Sequence, residues 1–239
     1  MIDRSQRLAA RVFAITTLLI YVVIGIAYSR FYAPFLVWEH EAETARNFIG
    51  HEPLVHDYIA AAVVYGLGAI VVLTALYVVF RPVSTGLALF AVFNRLVYAV
   101  MWFILLIDHF GALRIMGGRD FLHVFEPERL QALAGLQLAS GWDAYYIGLT
   151  FYAIGSVLYS YLFFKSRYIP RTLAVLGIMA AVFEGVCGFA YLIDRNFEAN
   201  VSVKWYEMPV VYFEVAISIW ILIRGLRVPE TAKAIQPGK

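Results

Sequence analysis

The chain has 239 residues, of which 62% are hydrophobic and only 15% are charged, and its mean hydropathy is +0.74. These values lie outside the range of soluble domains, and the formal net charge of +2 is too small to indicate a nucleic-acid partner. Cys187 is the only cysteine, which excludes an intrachain disulfide and a paired-cysteine metal motif. The composition therefore predicts a single integral membrane domain over residues 1–239, in contact with membrane lipids.

Six apolar segments follow one another along the chain, each near the ~20 residues that cross a bilayer as a helix. They are predicted at residues 12–29, 57–80, 85–107, 144–164, 172–193 and 209–224. A cleaved signal peptide would show the same basic start, but the first apolar run is long for one and offers only a weak cleavage site. A long loop separates the third and fourth segments. In it, Pro127 and leucines at helical spacing predict a short amphipathic helix, lying on the membrane surface or against the bundle.

The charges between these segments predict the topology. With both termini in the cytoplasm, the cytoplasmic side holds eleven basic and two acidic residues, and the outer loops hold seven basic and thirteen acidic ones. This distribution satisfies the positive-inside rule. The most basic connection is the turn of Lys165, Arg167 and Arg171 around Pro170. We therefore expect an all-α, six-helix transmembrane bundle with both termini cytoplasmic, in an inner membrane of the bacterial type.

The basic turn also carries a family resemblance. The stretch from Ser166 to Gly177, SRYIPRTLAVLG, resembles a turn of the bacterial membrane family called domain of unknown function 4386. That turn has the form S-R-hydrophobic-hydrophobic-P-R, followed by a Leu-Ala run and a glycine. Further stretches resemble the family at residues 93–99, FNRLVYA, at 142–166, and at 212–226, YFEVAISIWILIRGL. The resemblance implies a six-helix integral membrane protein and brings no established activity or cofactor.

Three charged residues fall inside the predicted membrane segments. Arg95, Glu184 and Glu214 lie about ten to twelve residues from the cytoplasmic ends of their helices, which gives them similar depths at ~1.5 Å per residue. An uncompensated charge there costs ~2.5–3.5 kcal/mol on insertion scales, so such groups usually face inward and pair. We expect Arg95 to pair with Glu214, with Glu184 either sharing the arginine or carrying a proton. The three either fix the helix register or bind an anionic ligand while one glutamate changes protonation state.

Aromatic and small residues lie beside these charges. Asn94 and Tyr98 are one turn apart next to Arg95, and Tyr152 belongs to a tyrosine–glycine series in the fourth predicted helix. Such residues either fill the space between closely packed helices or line a pocket among the third, fourth, fifth and sixth helices. The predicted ligand-binding residues are Arg95, Glu184, Glu214, Asn94, Tyr98 and Tyr152.

A second candidate site lies at the outer ends of the predicted helices. His56 and Asp57 begin the second helix, Asp108 and His109 end the third, and Asp143 begins the fourth. Histidine and carboxylate ligands suit zinc, so these five residues form a predicted metal site, although no HExxH or other spacing-specific motif is present. The other histidines, His40, His51 and His123, also map to the outer side.

No nucleophile elbow, phosphate-binding loop, dinucleotide fingerprint or haem-attachment motif is present, and no cofactor is assigned. The sequence favours a non-enzymatic membrane protein that binds or transports a small amphipathic or anionic ligand. Two alternatives stay open. One is a membrane-embedded, metal-dependent hydrolase with the outer histidine–aspartate site, and the other is a structural or accessory membrane subunit. The sequence does not decide between an enzyme and a non-enzyme, or give the oligomeric state.

Overall fold

The computed structural model describes residues 2–38, 40–118, 120–122, 124–194 and 196–227. His123 and the terminal lysines Lys233 and Lys239, which belong to the predicted outer and cytoplasmic sides, lie outside these residues.

Regular structure in the described residues is entirely helical. The α-helices are α1 (Arg4–Ala27), α2 (Glu41–Gly50), α3 (Glu52–Phe80), α4 (Thr85–Met116), α5 (Pro127–Ser166), α6 (Arg171–Ile193), α7 (Phe197–Asn200) and α8 (Lys204–Arg224). A π-helical turn at Tyr28–Tyr32 and a 3-10 turn at Ala33–Phe35 continue α1, and a second 3-10 turn lies at Asp120–Leu122.

Within the described residues, six helical segments are long and apolar enough to cross a membrane, which confirms the predicted all-α, six-span architecture. They are Arg4–Phe35, Glu52–Phe80, Thr85–Met116, Pro127–Ser166, Arg171–Ile193 and Lys204–Arg224. Large apolar side chains are exposed along them, among them Ile107, Met179 and Ile223, as expected of surfaces that face lipid. The protein is therefore a multi-pass integral membrane protein. The sidedness of its termini stays a prediction.

The helices extend beyond the apolar segments that predicted them. The helix α3 begins at Glu52, α4 continues to Met116, and α8 begins at Lys204 with Pro209 inside it. The predicted short amphipathic helix is not a separate element, because its residues form the first part of the 40-residue α5. Pro127 is the first residue of that helix, where a missing backbone N–H costs nothing, and no further proline interrupts it.

The chain divides into two compact units. Unit 1 comprises the described residues of Met1–Leu19, Gly68–Tyr98 and Leu149–Lys239, and unit 2 comprises the described residues of Ile20–Leu67 and Ala99–Gly148. Unit 1 contains the whole of α6 and α8. Each of α1, α3, α4 and α5 contributes one part to each unit.

In unit 1, α6 buries a stripe of small residues that includes Gly177, Ala181 and Gly188. A Cβ atom at Gly177 would overlap the ring of Phe213, so this glycine lets α8 approach closely. Further along the same stripe, Gly188 lies against Thr150 of α5, since a Cβ atom there would be 3.3 Å from the Thr150 hydroxyl.

The basic turn between α5 and α6 has a defined backbone. Arg167 has a φ of 56°, and its N–H donates to the carbonyl of Phe163 at 3.0 Å, which closes the end of α5. The carbonyl of Pro170 accepts from the N–H of Ala174 at 3.1 Å and begins α6.

Tyr168 links this turn to α1 and to the residues that follow α8. Its hydroxyl accepts a hydrogen bond from Gln6 of α1 at 3.1 Å, and its carbonyl accepts from the N–H of Arg227 at 2.9 Å. Gln6 also donates to the carbonyl of Val79 at 3.0 Å. The segment that carries the family resemblance is therefore a structural junction.

Candidate functional site

The core of unit 1 contains a buried ion pair between α4 and α8. Nη1 of Arg95 donates to Oε1 of Glu214 at 2.9 Å and to the hydroxyl of Ser156 on α5 at 2.7 Å. Arg95 is 6% exposed and Glu214 is 7% exposed. The pairing predicted from the sequence is thus present, and it joins three helices.

Tyr152 of α5 completes this network. Its hydroxyl donates to the same Oε1 of Glu214 at 2.9 Å, and the Arg95 Cζ atom lies 3.6 Å from the centroid of its ring. The ring face therefore attracts the guanidinium while the hydroxyl stabilises the carboxylate. Tyr98 of α4 packs edge-on against the Tyr152 ring, with centroids 4.7 Å apart.

The spacing of residues along α5 creates this arrangement. Tyr152 and Ser156 are four residues apart and share a face of the helix. Between them, Gly155 provides room, because a Cβ atom there would lie 2.5 Å from the Cγ atom of Arg95. Asn94, which was predicted to belong to the site, donates instead to the carbonyl of Phe90 on its own helix at 2.8 Å.

The relative directions of three helices follow from contacts within unit 1. The helices α5 and α6 are antiparallel, because Gly185 faces Ala153 and Gly188 faces Thr150. The helix α8 packs against α6 and follows it after a short connection, so α8 returns antiparallel to α6 and runs parallel to α5.

Three buried hydroxyl groups lie near the ion pair, on Tyr159, Ser160 and Ser218. Ser160 follows Ser156 by four residues on α5, and Ser218 follows Glu214 by four residues on α8, so both serines lie one turn beyond the pair in the same direction. Both are fully buried, and neither hydroxyl has a hydrogen-bond partner among the described residues. The buried hydroxyl of Tyr159 also has none, and Arg95 and Glu214 both act on it electrostatically.

Glu184 lies on the buried stripe of α6 and is 0% exposed. Neither of its carboxyl oxygens has a hydrogen-bond partner within the part of the chain that the structure describes. Its neighbour Gly185 faces Ala153 of α5, and Arg95 contacts Gly155 and Ser156 of the same helix. Glu184 and Arg95 therefore lie within about one helical turn of each other in depth, as the sequence predicted.

The predicted metal ligands belong to unit 2, where His109 is fully buried. Its Nδ1 lies 2.7 Å from the carbonyl of Leu105, and its Nε2 lies 2.8 Å from the hydroxyl of Tyr32. Since a carbonyl only accepts, Nδ1 carries the hydrogen and the neutral Nε2 accepts from the tyrosine. Both ring nitrogens are thus used by the protein itself.

The other four predicted ligands point to different partners or to solvent. His56 is exposed and hydrogen-bonds Glu52 at 3.4 Å, Asp57 and Asp143 are exposed, and Asp108 accepts a hydrogen bond from Gln137 of α5. Within the described ranges, no three His, Cys, Asp or Glu side chains form a group that could hold a metal ion. The five residues are therefore not brought together as a metal site.

Sequence reasoning missed several residues that the structure places at the ion pair. Ser156, Ser160 and Ser218 were not among the predicted ligand-binding residues, whereas Tyr159 belongs to the tyrosine–glycine series of the fourth predicted helix, which was expected to pack or to line a pocket. The available signal for the three serines was their spacing of four residues from Tyr152, Ser156 and Glu214, respectively.

Comparison with known proteins identifies the family. The sequence model described as Domain of unknown function (DUF4386) matches residues 12–225, a range that includes the ion pair, the three hydroxyls and Glu184. No curated protein and no solved structure matches the chain. Because the family match covers most of the chain, this integral membrane protein belongs to the family named domain of unknown function 4386.

Proposed function

We propose that this protein binds the anionic head group of a small amphipathic molecule at Arg95. The observation that carries the proposal is the group of three buried hydroxyls, on Tyr159, Ser160 and Ser218, about one helical turn along α5 and α8 from Ser156 and Glu214, the two partners of Arg95. Their hydroxyls have no partner among the described residues, and an oxyanion would supply acceptor atoms for all three.

Ligand binding would exchange one anion for another at Arg95. A buried guanidinium needs a negative partner, and Glu214 fills that role in the structure at 2.9 Å. An incoming carboxylate or phosphate takes over this role when Glu214 binds a proton and becomes neutral. The charge of the site is then conserved. Each hydroxyl that gains an acceptor also removes the cost of a buried donor without a hydrogen bond, which is about 1–3 kcal/mol.

An amphipathic ligand suits the location of this site. Arg95 lies within the candidate span Thr85–Met116, and apolar side chains cover much of the exposed surface of the spans. A molecule with an alkyl chain reaches such a site from the bilayer without exposing the chain to water. Its head group would meet Arg95, while the alkyl chain stays between helices or in lipid.

Binding of matched probes to the purified protein tests this proposal. Oleate and lysophosphatidate carry an anionic head group, and oleyl alcohol has the same alkyl chain as oleate without the charge. We expect native mass spectrometry and thermal-shift measurements to detect the two anions and not the alcohol. The Glu214→Gln variant should bind the anions more tightly than the parent, because the competing carboxylate is gone.

Two further variants separate binding from folding. The double variant Arg95→Gln with Glu214→Gln removes both charges together and should lose anion binding while keeping its helical content. The control Arg81→Gln removes an exposed charge from the end of α3 and should bind as the parent does. If the double variant binds oleate as well as the parent, Arg95 is not the anchor. If Glu214→Gln binds neither anion, the pair serves only to hold the helices.

We also propose that both termini face the cytoplasm and that the protein resides in a cell inner membrane. The supporting observation is the concentration of basic residues in the connections assigned to the cytoplasm, including the turn between α5 and α6.

A further inference from the structure

Glu184 is not explained by the proposed anion site. It is fully buried on the stripe of α6 that packs against α5 and α8, and neither carboxyl oxygen has a hydrogen-bond donor among the described residues. Glu214, which is also buried, receives hydrogen bonds from both Arg95 and Tyr152. The two glutamates therefore have opposite environments in the same unit.

The packing of α6 against α8 shows which residues lie level with Glu184. Gly177 faces Phe213, and the two helices are antiparallel. Moving seven residues along α6 to Glu184 corresponds to moving seven residues back along α8, which leads to Tyr206 and its neighbour Glu207. Tyr206 is fully buried, whereas Glu207 is half-buried in the first turn of α8.

The charged groups around Glu184 are mostly negative. From α8, Glu207 and Glu214 act on it electrostatically, and from α4, Arg95 does. The arginine is already paired with Glu214. On its own helix, Cys187 lies one turn further along, and α5 presents the neutral Ala153 and Thr150 at this level.

We propose that Glu184 and Glu207 form a proton-binding pair, in which Glu184 holds the proton and Glu207 connects it to the membrane surface. An ionised carboxylate without a donor is far more costly to bury than a neutral carboxyl group. A second carboxylate close by increases that cost, so a shared proton is the simplest stabilising ligand for the pair. Glu207 is partly accessible at the beginning of α8, which provides a route for the proton.

This site does not depend on ligand binding at Arg95. Its expected behaviour is that of a proton donor and acceptor inside the membrane span, which is the property needed to couple a conformational change to pH.

Infrared spectroscopy of the purified full-length protein tests the proposal, because it distinguishes a protonated carboxyl group from a carboxylate. The spectrum of the parent minus that of Glu184→Gln should contain a carboxylic-acid C=O band at neutral pH. The matched control, the parent minus Glu214→Gln, should contain carboxylate bands instead. The substituted glutamine has the size of glutamate and needs no charge partner, so we expect Glu184→Gln to remain folded by circular dichroism.

Four further measurements show whether the proton is exchangeable, whether it is shared with Glu207, and whether a metal cation replaces it. The Glu184 band should shift on transfer to D₂O and disappear as the pH is raised. In the Glu207→Gln variant it should disappear at a pH about one unit lower, a roughly tenfold weaker binding of the proton. Replacing choline chloride with sodium chloride should leave the band unchanged.

The proposal is overturned if the Glu184 difference spectrum shows carboxylate bands at neutral pH. It is equally overturned if the band does not exchange in D₂O, since the proton would then be a fixed part of the fold. Loss of the acid band in sodium chloride would assign the pair to a metal cation. An unchanged midpoint in Glu207→Gln would remove Glu207 from the site.

Discussion

Replacement of Glu214 by glutamine removes one negative charge from the buried network of unit 1. Oε1 of Glu214 accepts from Arg95 and from Tyr152, both at 2.9 Å. The amide oxygen of glutamine can accept both hydrogen bonds, so the shape of the site is kept and the change isolates the charge. Arg95 then remains as a buried cation without its anion.

The expected magnitude follows from that uncompensated charge. Breaking a buried ion pair by removing one partner costs about 3–5 kcal/mol of unfolding free energy, and we expect the lower end because the hydrogen bonds persist. The Glu184→Gln variant is the matched control. It carries the same chemical change at another buried glutamate but removes no hydrogen bond in the described structure, so its cost should be below ~1 kcal/mol.

A double-mutant cycle completes this test. Arg95→Gln alone leaves a buried carboxylate and should also be strongly destabilising, whereas the double variant with Glu214→Gln should recover about 2–3 kcal/mol of the summed loss. Unfolding free energies are measured by titrating dodecylmaltoside-solubilised protein with sodium dodecyl sulfate and recording circular dichroism. A coupling energy below ~0.5 kcal/mol would refute the importance of the pair for the fold.

Three other predictions concern packing, metal content and topology. Gly155→Ala should lower the unfolding free energy by about 1–3 kcal/mol, because the added methyl group displaces the side chain of Arg95. Gly86→Ala is the control, since no atom lies within 4 Å of its Cβ position, and it should be neutral or slightly stabilising in the same titration. Mass spectrometry of the purified protein for transition metals should find less than one ion per chain, since no three ligands come together in the described residues. One tightly bound zinc per chain would restore the hypothesis of a metal site at the outer histidines and aspartates. In a Cys187→Ser background, a membrane-impermeant maleimide should label Arg46→Cys on intact cells, and Lys165→Cys only in inverted vesicles. Labelling with the opposite sidedness would reverse the proposed topology.

The number of spans could be predicted from the sequence because it depends on local quantities, segment length and hydropathy. Segment ends were less accurate. The helix α5 begins at Pro127, well before the apolar run that starts near residue 144, because backbone hydrogen bonding continues through polar residues when no proline or loop signal stops it. The presence of a buried ion pair was also predictable, since an isolated arginine at that depth is too costly.

The identity and surroundings of each partner depended on tertiary structure. Both Glu184 and Glu214 had a suitable depth for Arg95, and the rotation of α6 and α8 decides that Glu214 receives the arginine while Glu184 meets no donor in the described residues. On α4, Asn94 donates to the carbonyl of Phe90 on its own helix rather than to the ion pair.

Composition and charge pattern by themselves determined a membrane protein with six apolar helices and an internal arginine that needs a carboxylate. Only the packed structure decided which polar groups remain without partners. Hydrogen bonding between helices depends on the rotation of each helix about its axis, which the spacing of residues along the sequence does not specify. That packing separated the outer histidines and aspartates, turning His109 inward to Tyr32 and leaving Asp57 exposed. It also placed Ser160 and Ser218 beside the ion pair, where their unpartnered hydroxyls mark the candidate site.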